Sequence, residues 1–318
     1  MLNDFREQLR AVKCPPRKPI VKHGTIAIGV VETTPVVWQG RLLRFEWVRN
    51  HGWGKVRSVT REVGCYRFVD METNRPVGAE FALDHSFGCC YAEDGVMYVI
   101  GTRGPGGGQA LDLYVSCDLV TWEEREILTF PDDISLFNTS LCRGKDGYML
   151  AIEIGGTNPA VGRPFTGVFA HADRPDGHWQ MLPMVEYAYD PSRYTACPTI
   201  RYYDGWYYII NLEAAPLHRY ISYIVRTRDF KNYVLGDINP VMMFDDGDKR
   251  IEHPESFTAE EIAVIENAVN CNNSDIDLCE YNGKTVILYS WGNQLGQEYL
   301  AWAEYDGGEQ EFLESFFR

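Results

Sequence analysis

Several familiar signatures are missing from this 318-residue chain. No run approaches the roughly 18 apolar residues of a membrane-spanning helix, so no membrane partner is expected. Lysine and arginine number 30 against 45 aspartates and glutamates, a formal charge of −15. No basic cluster stands out from that background. Nucleic-acid affinity comes mostly from neutralising phosphates, so that class of partner is set aside. Cysteine is present but unorganised: the nine cysteines form no CxxC pair, which argues against a zinc knuckle. An odd number, mostly within apolar runs, fits buried free thiols in a reducing compartment. The opening MLNDFREQLRAVKCPP is charged from Asp4 onward and has no apolar centre, so it does not read as a secretory signal. The expectation is a cytoplasmic protein. The Gly-rich run after Arg103, GPGGGQ, lacks the lysine and the strand–turn–helix setting of a phosphate loop. It reads as a connection between strands.

What is present is aromatic and periodic. Hydrophobic residues make up 45% of the chain and aromatics 13%, with 19 Tyr and 8 Trp. That is enough for a sizeable core, and the composition suits strands and sugar-binding surfaces. One pattern recurs: an apolar strand, a turn ending in Gly, then a strand rich in aromatic and β-branched residues. It appears as PVVWQGRLLRFEWV, GCCYAEDGVMYVIG, SLCRGKDGYMLAIE, CPTIRYYDGWYYII and IDLCEYNGKTVILY. The turn glycines are Gly40, Gly95, Gly147, Gly205 and Gly283, in the tight-turn chemistry of hairpins. Each hairpin precedes a third strand candidate, such as LDLYVSCDL or YLAWAEYDG, and most precede a fourth, such as WEEREILTF or EFLESFF. Five units of about 50–60 residues predict one all-β domain over residues 1–318, a five-bladed β-propeller with four-stranded antiparallel blades. About 1–22 form an extension with a short N-terminal helix over 2–12. A second helix, SFTAEEIAVIENAVN, lies within an insertion at about 250–271, between blades four and five. There Thr258 and Glu261 have capping-box spacing, and Ile262, Ile265 and Val269 are expected on one face.

In a propeller the innermost strands line a central channel, and the second strands return to the face where they begin. The inner-strand starts hold Glu32, Thr33 and Thr34, then Asp84 and His85, then Asn138, Tyr194 and Thr195, and finally Asn273, Asp275 and Asp277. The returning ends hold Trp47, Arg49, Arg103, Glu153, Glu213, Trp291, Asn293 and Gln294, with His218 and Arg219 in the blade-four loop. Buried carboxylates are unfavourable unless paired or hydrogen-bonded, so a ring containing several needs a reason.

The five-unit layout resembles the five-bladed propeller glycosidases, the group of arabinanases, β-xylosidases, invertases and levansucrases. The segments SCDLVTWEE and RTRDFKNYVLG are similar to that group's Ser-x-Asp-Leu-x-x-Trp segment. ACPTIRYYDGWYYI and ETTPVVWQGRLL resemble its blade-four and opening-blade segments. The likeness covers nearly the whole chain from about His23. It implies a glycoside hydrolase whose carboxylates lie in the channel. The group's usual acids stand before the blade-one Pro, at the start of blade three, and before the blade-four Pro. Here Thr34, Asn138 and Ala196-Cys197 hold those places, so the acids must come from elsewhere or the activity is lost.

Hydrolysis of a glycoside needs one acid to protonate the leaving oxygen and one carboxylate to attack or activate water; a third acid can tune the pair. Asp275 is expected as the base and Glu213 as the acid, with Asp84 tuning them. His85 or His218 are alternative proton donors. Asp275 and Asp277 should share a strand face, since side chains alternate with period two. Glu32, His85, Arg103, Asn138, Glu153, His218, Trp291, Asn293 and Gln294 are expected to bind an oligosaccharide, with Trp53 as a further flat surface. No cofactor is required, although Asp and His with waters would suit a divalent cation. Each residue also has an ordinary reading: a strand-start Asp often caps a turn, and Glu213 enters a Pro-containing loop. The competing function is a carbohydrate-binding propeller without catalysis. A protein-interaction propeller ranks third, because no WD-type signature is present.

Overall fold

The computed structural model describes residues 17–49, 64–156, 165–184, 189–190, 193–216, 219–294 and 298–317. The expected N-terminal helix over 2–12 lies outside them, as do Trp53 and His218. Five antiparallel sheets of four strands make up the molecule, a five-bladed propeller. Blade one comprises Thr34–Trp38, Arg41–Val48, Cys65–Asp70 and Arg75–Phe81, and blade two His85–Glu93, Val96–Arg103, Ala110–Ser116 and Glu123–Thr129. Blade three comprises Ile134–Gly144, Gly147–Gly156, Thr166–Ala172 and Gln180–Met181. Blade four follows with Ala196–Tyr203, Trp206–Ala215, Arg219–Thr227 and Tyr233–Leu235. First strands of neighbouring blades pack against one another around the axis. The apolar faces of adjacent blades meet in separate cores, such as the wedge of Phe45, Tyr66, Phe68 and Phe81.

Local chemistry explains the hairpins. Asp94-Gly95 and Asn282-Gly283 take positive φ at both turn positions, the geometry that matches strand twist in a two-residue loop. The SCDLVTW segment is also a turn device. Ser116 Oγ accepts from the backbone N–H groups of Asp118 and Leu119, and Asp118 Oδ1 from those of Val120 and Thr121. Trp122 then stacks on Phe81 with ring centroids 3.8 Å apart. Thr227 and Asp229 repeat the device in blade four.

Blade five has the expected four strands but takes the fourth from an unexpected place. Its first three strands are Asn272–Tyr281, Lys284–Gly292 and Glu298–Tyr305, but its outermost strand is Ile20–Ile28 from the other end of the chain. The expected fourth strand EFLESFF is instead mostly helix, Glu309–Glu314, packing Phe312, Leu313 and Phe316 into the core. The inserted helix is Ala259–Asn267, with Thr258 and Glu261 in a capping box. Ile265 is fully buried, whereas Val269 lies past the helix end and is 63% exposed.

The closing strand is held by a buried ionic latch. Asp248, with no solvent exposure, lies 2.7 Å from Lys22 Nζ and accepts from Tyr289 Oη at 2.8 Å and Asn270 Nδ2 at 2.7 Å. Thr25 Oγ1 donates to the Asp248 carbonyl and accepts from Trp291 Nε1. Gly24 has φ +113, and a Cβ there would sit 2.3 Å from the Arg250 carbonyl oxygen. Removing one partner of a buried pair leaves an uncompensated charge. Lys22→Met should therefore lower unfolding stability by about 3 kcal/mol in urea titrations, and Asp248→Asn in the same chain should recover part of the loss. A Lys22→Met protein within about 0.5 kcal/mol of the parent would remove the latch from this account.

Candidate active site

Four of the five innermost strands are interrupted where they enter the channel. The register shifts fall between Ser86 and Gly88, Leu136 and Thr139, Ala196 and Thr199, and Ser274 and Asp277. A bulge inserts unpaired residues and re-aims their side chains. Asn138, Cys197 and Asp275 lie inside three of these bulges. Cys197 and Asp275 have φ of 47° and 52°, and Glu32, just before blade one, has φ 55°. Positive φ in such residues is strained and tends to gather at functional sites. The bulge also breaks the expected period. Asp277 lines the same funnel as Asp275 but has a different partner: it accepts from Arg201 Nη2 at 2.6 Å, and Arg201 Nε lies 3.3 Å from Glu309. Asp277 is thus half of a buried ion pair further along the channel.

The bulges bring together a cluster poor in hydrogen-bond donors. Glu32, Asn138, Cys197 and Asp275 line a narrow axial funnel of ≈ 30 Å³. Ligand atoms of Glu32, Cys197 and Asp275 lie within 4.8 Å of one another. The Asn138 amide faces three acceptors: Glu153 Oε2 at 2.9 Å, Cys197 Sγ at 3.2 Å and Glu32 Oε1 at 3.3 Å. Glu153 stands behind, buried, and also accepts from the Cys197 N–H at 2.8 Å. Glu32 Oε2 is shielded from solvent and has no hydrogen-bond partner among the described residues. An unpaired buried carboxylate oxygen favours the neutral acid. Burial first, then the Asp275 charge, pushes Glu32 well above the carboxylate range, with Arg49 opposing. Burial lifts Glu153 to about 7 against its hydrogen bonds from Asn138 and Cys197. Burial and the neighbouring acids push the Cys197 thiol up as well, so it remains a donor. Glu298, half-buried beside Arg49 with an oxygen 3.3 Å from Nη2, is also raised by desolvation. Gln294 Nε2 donates to Ser274 Oγ, which donates to Asp275 Oδ2 at 2.9 Å.

Other expected residues lie elsewhere. Glu213 is 40% exposed and pairs with Arg193 at the rim, outside the acid cluster. Asp84 is an exposed turn residue whose backbone bonds to Gly64 and Gly104. His85 is buried with Nε2 2.8 Å from Asp112 Oδ2, and Arg103 clamps the same carboxylate at 2.5 and 2.7 Å. Both therefore serve a blade-two ion network. Trp291 is fully buried and stacks on Tyr299, so it presents no face to a sugar. Asn293 is half-buried after the returning strand of blade five. Half-buried rings run in a row instead, Phe137, Phe165, Tyr194 and Tyr220, at centroid spacings of 5.2, 5.5 and 5.8 Å and tilted against one another by 45–51°. Glu298 and, apart from Tyr194, the members of this aromatic row went unremarked in the sequence. The first letter of the third strand EYLAWAEY carried the signal for Glu298.

A metal could be offered two carboxylates and a thiol by Glu32, Asp275 and Cys197; the unpartnered Glu32 oxygen fits such a role, and protons satisfy it equally.

No protein-family model and no curated protein matches the chain. Solved structures do. A glycoside hydrolase aligns over 96% of this chain and 95% of its own, with TM-score 0.59 and 13% identity. An α-L-arabinofuranosidase from Podospora anserina, solved with cellotriose, aligns over 92% and 98%, with TM-score 0.58 and 9% identity. The catalytic domain of a GH62 α-L-arabinofuranosidase from Coprinopsis cinerea aligns over 92% and 99%, with TM-score 0.58 and 12% identity. The fold is that of the five-bladed propeller glycoside hydrolases.

The raised Glu153 makes a signed prediction. Its folded value of about 7 lies above its ordinary 4.5, so the native state binds the extra proton between those values. Its contribution to stability is complete below about 4.5 and is lost as pH rises through about 7. Glu153→Gln cannot lose that proton. The stability of this variant relative to the parent should rise by up to about 3 kcal/mol from pH 4.5 to 8. A relative stability that stays flat or falls across that range contradicts the assignment.

Proposed function

We propose that this protein is a glycoside hydrolase that removes a terminal sugar from a glycan, with Glu32 and Asp275 as the reacting pair. The observation that carries the reading is two carboxyl groups side by side in unlike settings. Burial and the Asp275 charge disfavour the charged form of Glu32 and suit it to give a proton, while Asp275 is held by a hydrogen bond from Ser274 Oγ. Asp275 faces the same funnel within 4.8 Å. In the first step Glu32 gives its proton to the glycosidic oxygen as the C–O bond breaks, and Asp275 bonds to the anomeric carbon. In the second, water gives a proton to the Glu32 carboxylate, attacks that carbon and releases Asp275. The short separation supports this retaining course, since inversion needs about 6.5–9.5 Å to seat a water between the carboxyl groups. Glu153 and Asn138 hold Glu32 and Cys197 in place. The aromatic row offers flat faces to sugar rings, and the small funnel suits a chain end. Structural neighbours solved with cellotriose and xylotriose support a glycan partner. A cytoplasmic location remains part of the proposal.

One observation favours a second reading, a propeller that binds glycans without cleaving them: the Cys197 thiol stands beside both acids where a third carboxylate would be expected from the resemblance. A panel of aryl glycosides and plant or algal oligosaccharides separates the two. Asp275→Asn should lower kcat/KM about 10³-fold on every substrate that is cleaved. Glu32→Gln should do so on oligosaccharides but less on aryl glycosides, whose leaving groups need little protonation. Glu213→Gln should stay within about threefold of the parent, as an exposed rim pair contributes little. Products should keep the substrate's anomeric configuration by NMR. Hydrolysis indifferent to Asp275 and Glu32 refutes the mechanism, and glycan binding with no hydrolysis leaves the second reading standing.

A further inference from the structure

A second cleft, of ≈ 360 Å³, opens between blades five and one, walled in part by Ile28, Val69 and Phe257. Arg44, Arg49 and Arg67 line it, with Glu261 as the one acidic lining residue among those described. Glu261 is already engaged, accepting the Thr258 N–H at 2.9 Å as a helix cap.

The arginines are organised by a carboxylate beneath them. Glu46, with no solvent exposure, accepts Arg44 Nε on Oε1 and Arg67 Nε on Oε2, both at 2.6 Å. Desolvation alone would push Glu46 up, but the two guanidinium groups outweigh it and hold it below the usual carboxylate range. One carboxylate therefore serves two cations, and their remaining donors are unequally used. Arg44 Nη2 donates to Asn74 Oδ1 at 2.6 Å, while its Nη1 finds only the Met71 thioether at 3.8 Å, a weak acceptor. Arg67 is 27% exposed and commits only its Nε. Its two Nη groups have no acceptor among the described residues. A guanidinium already fixed by one nitrogen is preorganised for a bidentate oxyanion. The apolar walls suit the body that carries such a group.

We propose that this cleft binds a carboxylate-bearing sugar, a uronic acid unit, through the Arg67 fork. That the carboxylate is borne on a sugar rests on the glycosidase reading; the oxyanion site itself does not. Inorganic phosphate offers the same oxygens to the fork without the sugar body, so it is the arm that separates the two sources.

Calorimetric titration of the full chain with galacturonate, galactose and inorganic phosphate tests this directly, without an activity readout. Galacturonate should bind, galactose should bind at least tenfold more weakly, and Arg67→Gln should weaken galacturonate at least tenfold. Because Arg67→Gln also removes a partner of buried Glu46, Arg67→Lys is the second variant. It keeps the charge beside Glu46, keeps the parent's thermal midpoint, and should still lose galacturonate affinity tenfold because it lacks the fork. Galacturonate affinity unchanged in Arg67→Lys overturns the proposal. So does phosphate binding without galacturonate binding, or no anion binding at all. Loss of hydrolysis in Asp275→Asn with galacturonate binding intact would leave this site standing apart from the channel chemistry.

Discussion

Closure of the last blade by a strand from the opposite end of the chain is the constraint on which the rest of this molecule depends. Ile20–Ile28 completes blade five, and a ring closed in this way leaves few open strand edges. The Lys22–Asp248 pair and the Trp291–Thr25 hydrogen bond lock it. The chain leaving that strand is tied to blade five by the Gly29 N–H on the Glu298 carbonyl at 2.8 Å. Three residues later it delivers Glu32 to the channel. The position of the most perturbed acid is therefore set by closure, not by the blade that follows it.

Closure brings acids together, and the bulges decide which of them face one another. A regular strand would point alternate side chains into the channel. The interruptions at Asn138, Cys197 and Asp275 replace that alternation with single side chains aimed at the axis. The cluster that results has more acceptors than donors, with one amide shared among Glu32, Glu153 and Cys197. Protons make up the difference, so the same shortage that strains the native state leaves an acid protonated near neutrality. This is the balance between stability and chemistry expected of a catalytic site.

The fold was legible in the sequence because its determinants are local. Asn282-Gly283 and its counterparts specify hairpins through turn chemistry, and Ser116–Trp122 specifies a capped turn whose backbone hydrogen bonds are now visible. The same locality explains why SCDLVTWEE and RTRDFKNYVLG spoke to architecture and not to reaction: they build capped turns, whereas the other two glycosidase-like segments bring Glu32 and Cys197 to the funnel. The site was only partly legible. Glu32, Asn138, Glu153 and Asp275 were placed near the channel by counting strand starts and ends. Their roles were not, because register, not composition, separates Asp275 from Asp277, and the bulge between them leaves no mark in the letters. Glu213 and Trp291 occupy the right strand ends but meet Arg193 and the Tyr299 ring. The closing strand was missed because EFLESFF has the right composition and place for a fourth strand, while its true partner lies almost a full chain length away.

The central claim is that closure and bulging hold a protonated Glu32 beside Asp275 at neutral pH. Infrared difference spectroscopy of the carboxylic acid C=O stretch, with and without Glu32→Gln, tests it most directly. Glu153, which titrates near 7, contributes a band of its own, so the comparison is made in a Glu153→Gln background. The account predicts a protonated carboxyl band at pH 7 in Glu153→Gln that is lost when Glu32→Gln is added. A Glu153→Gln spectrum at pH 7 with no protonated carboxyl, or a band that the added Glu32→Gln leaves intact, would contradict it.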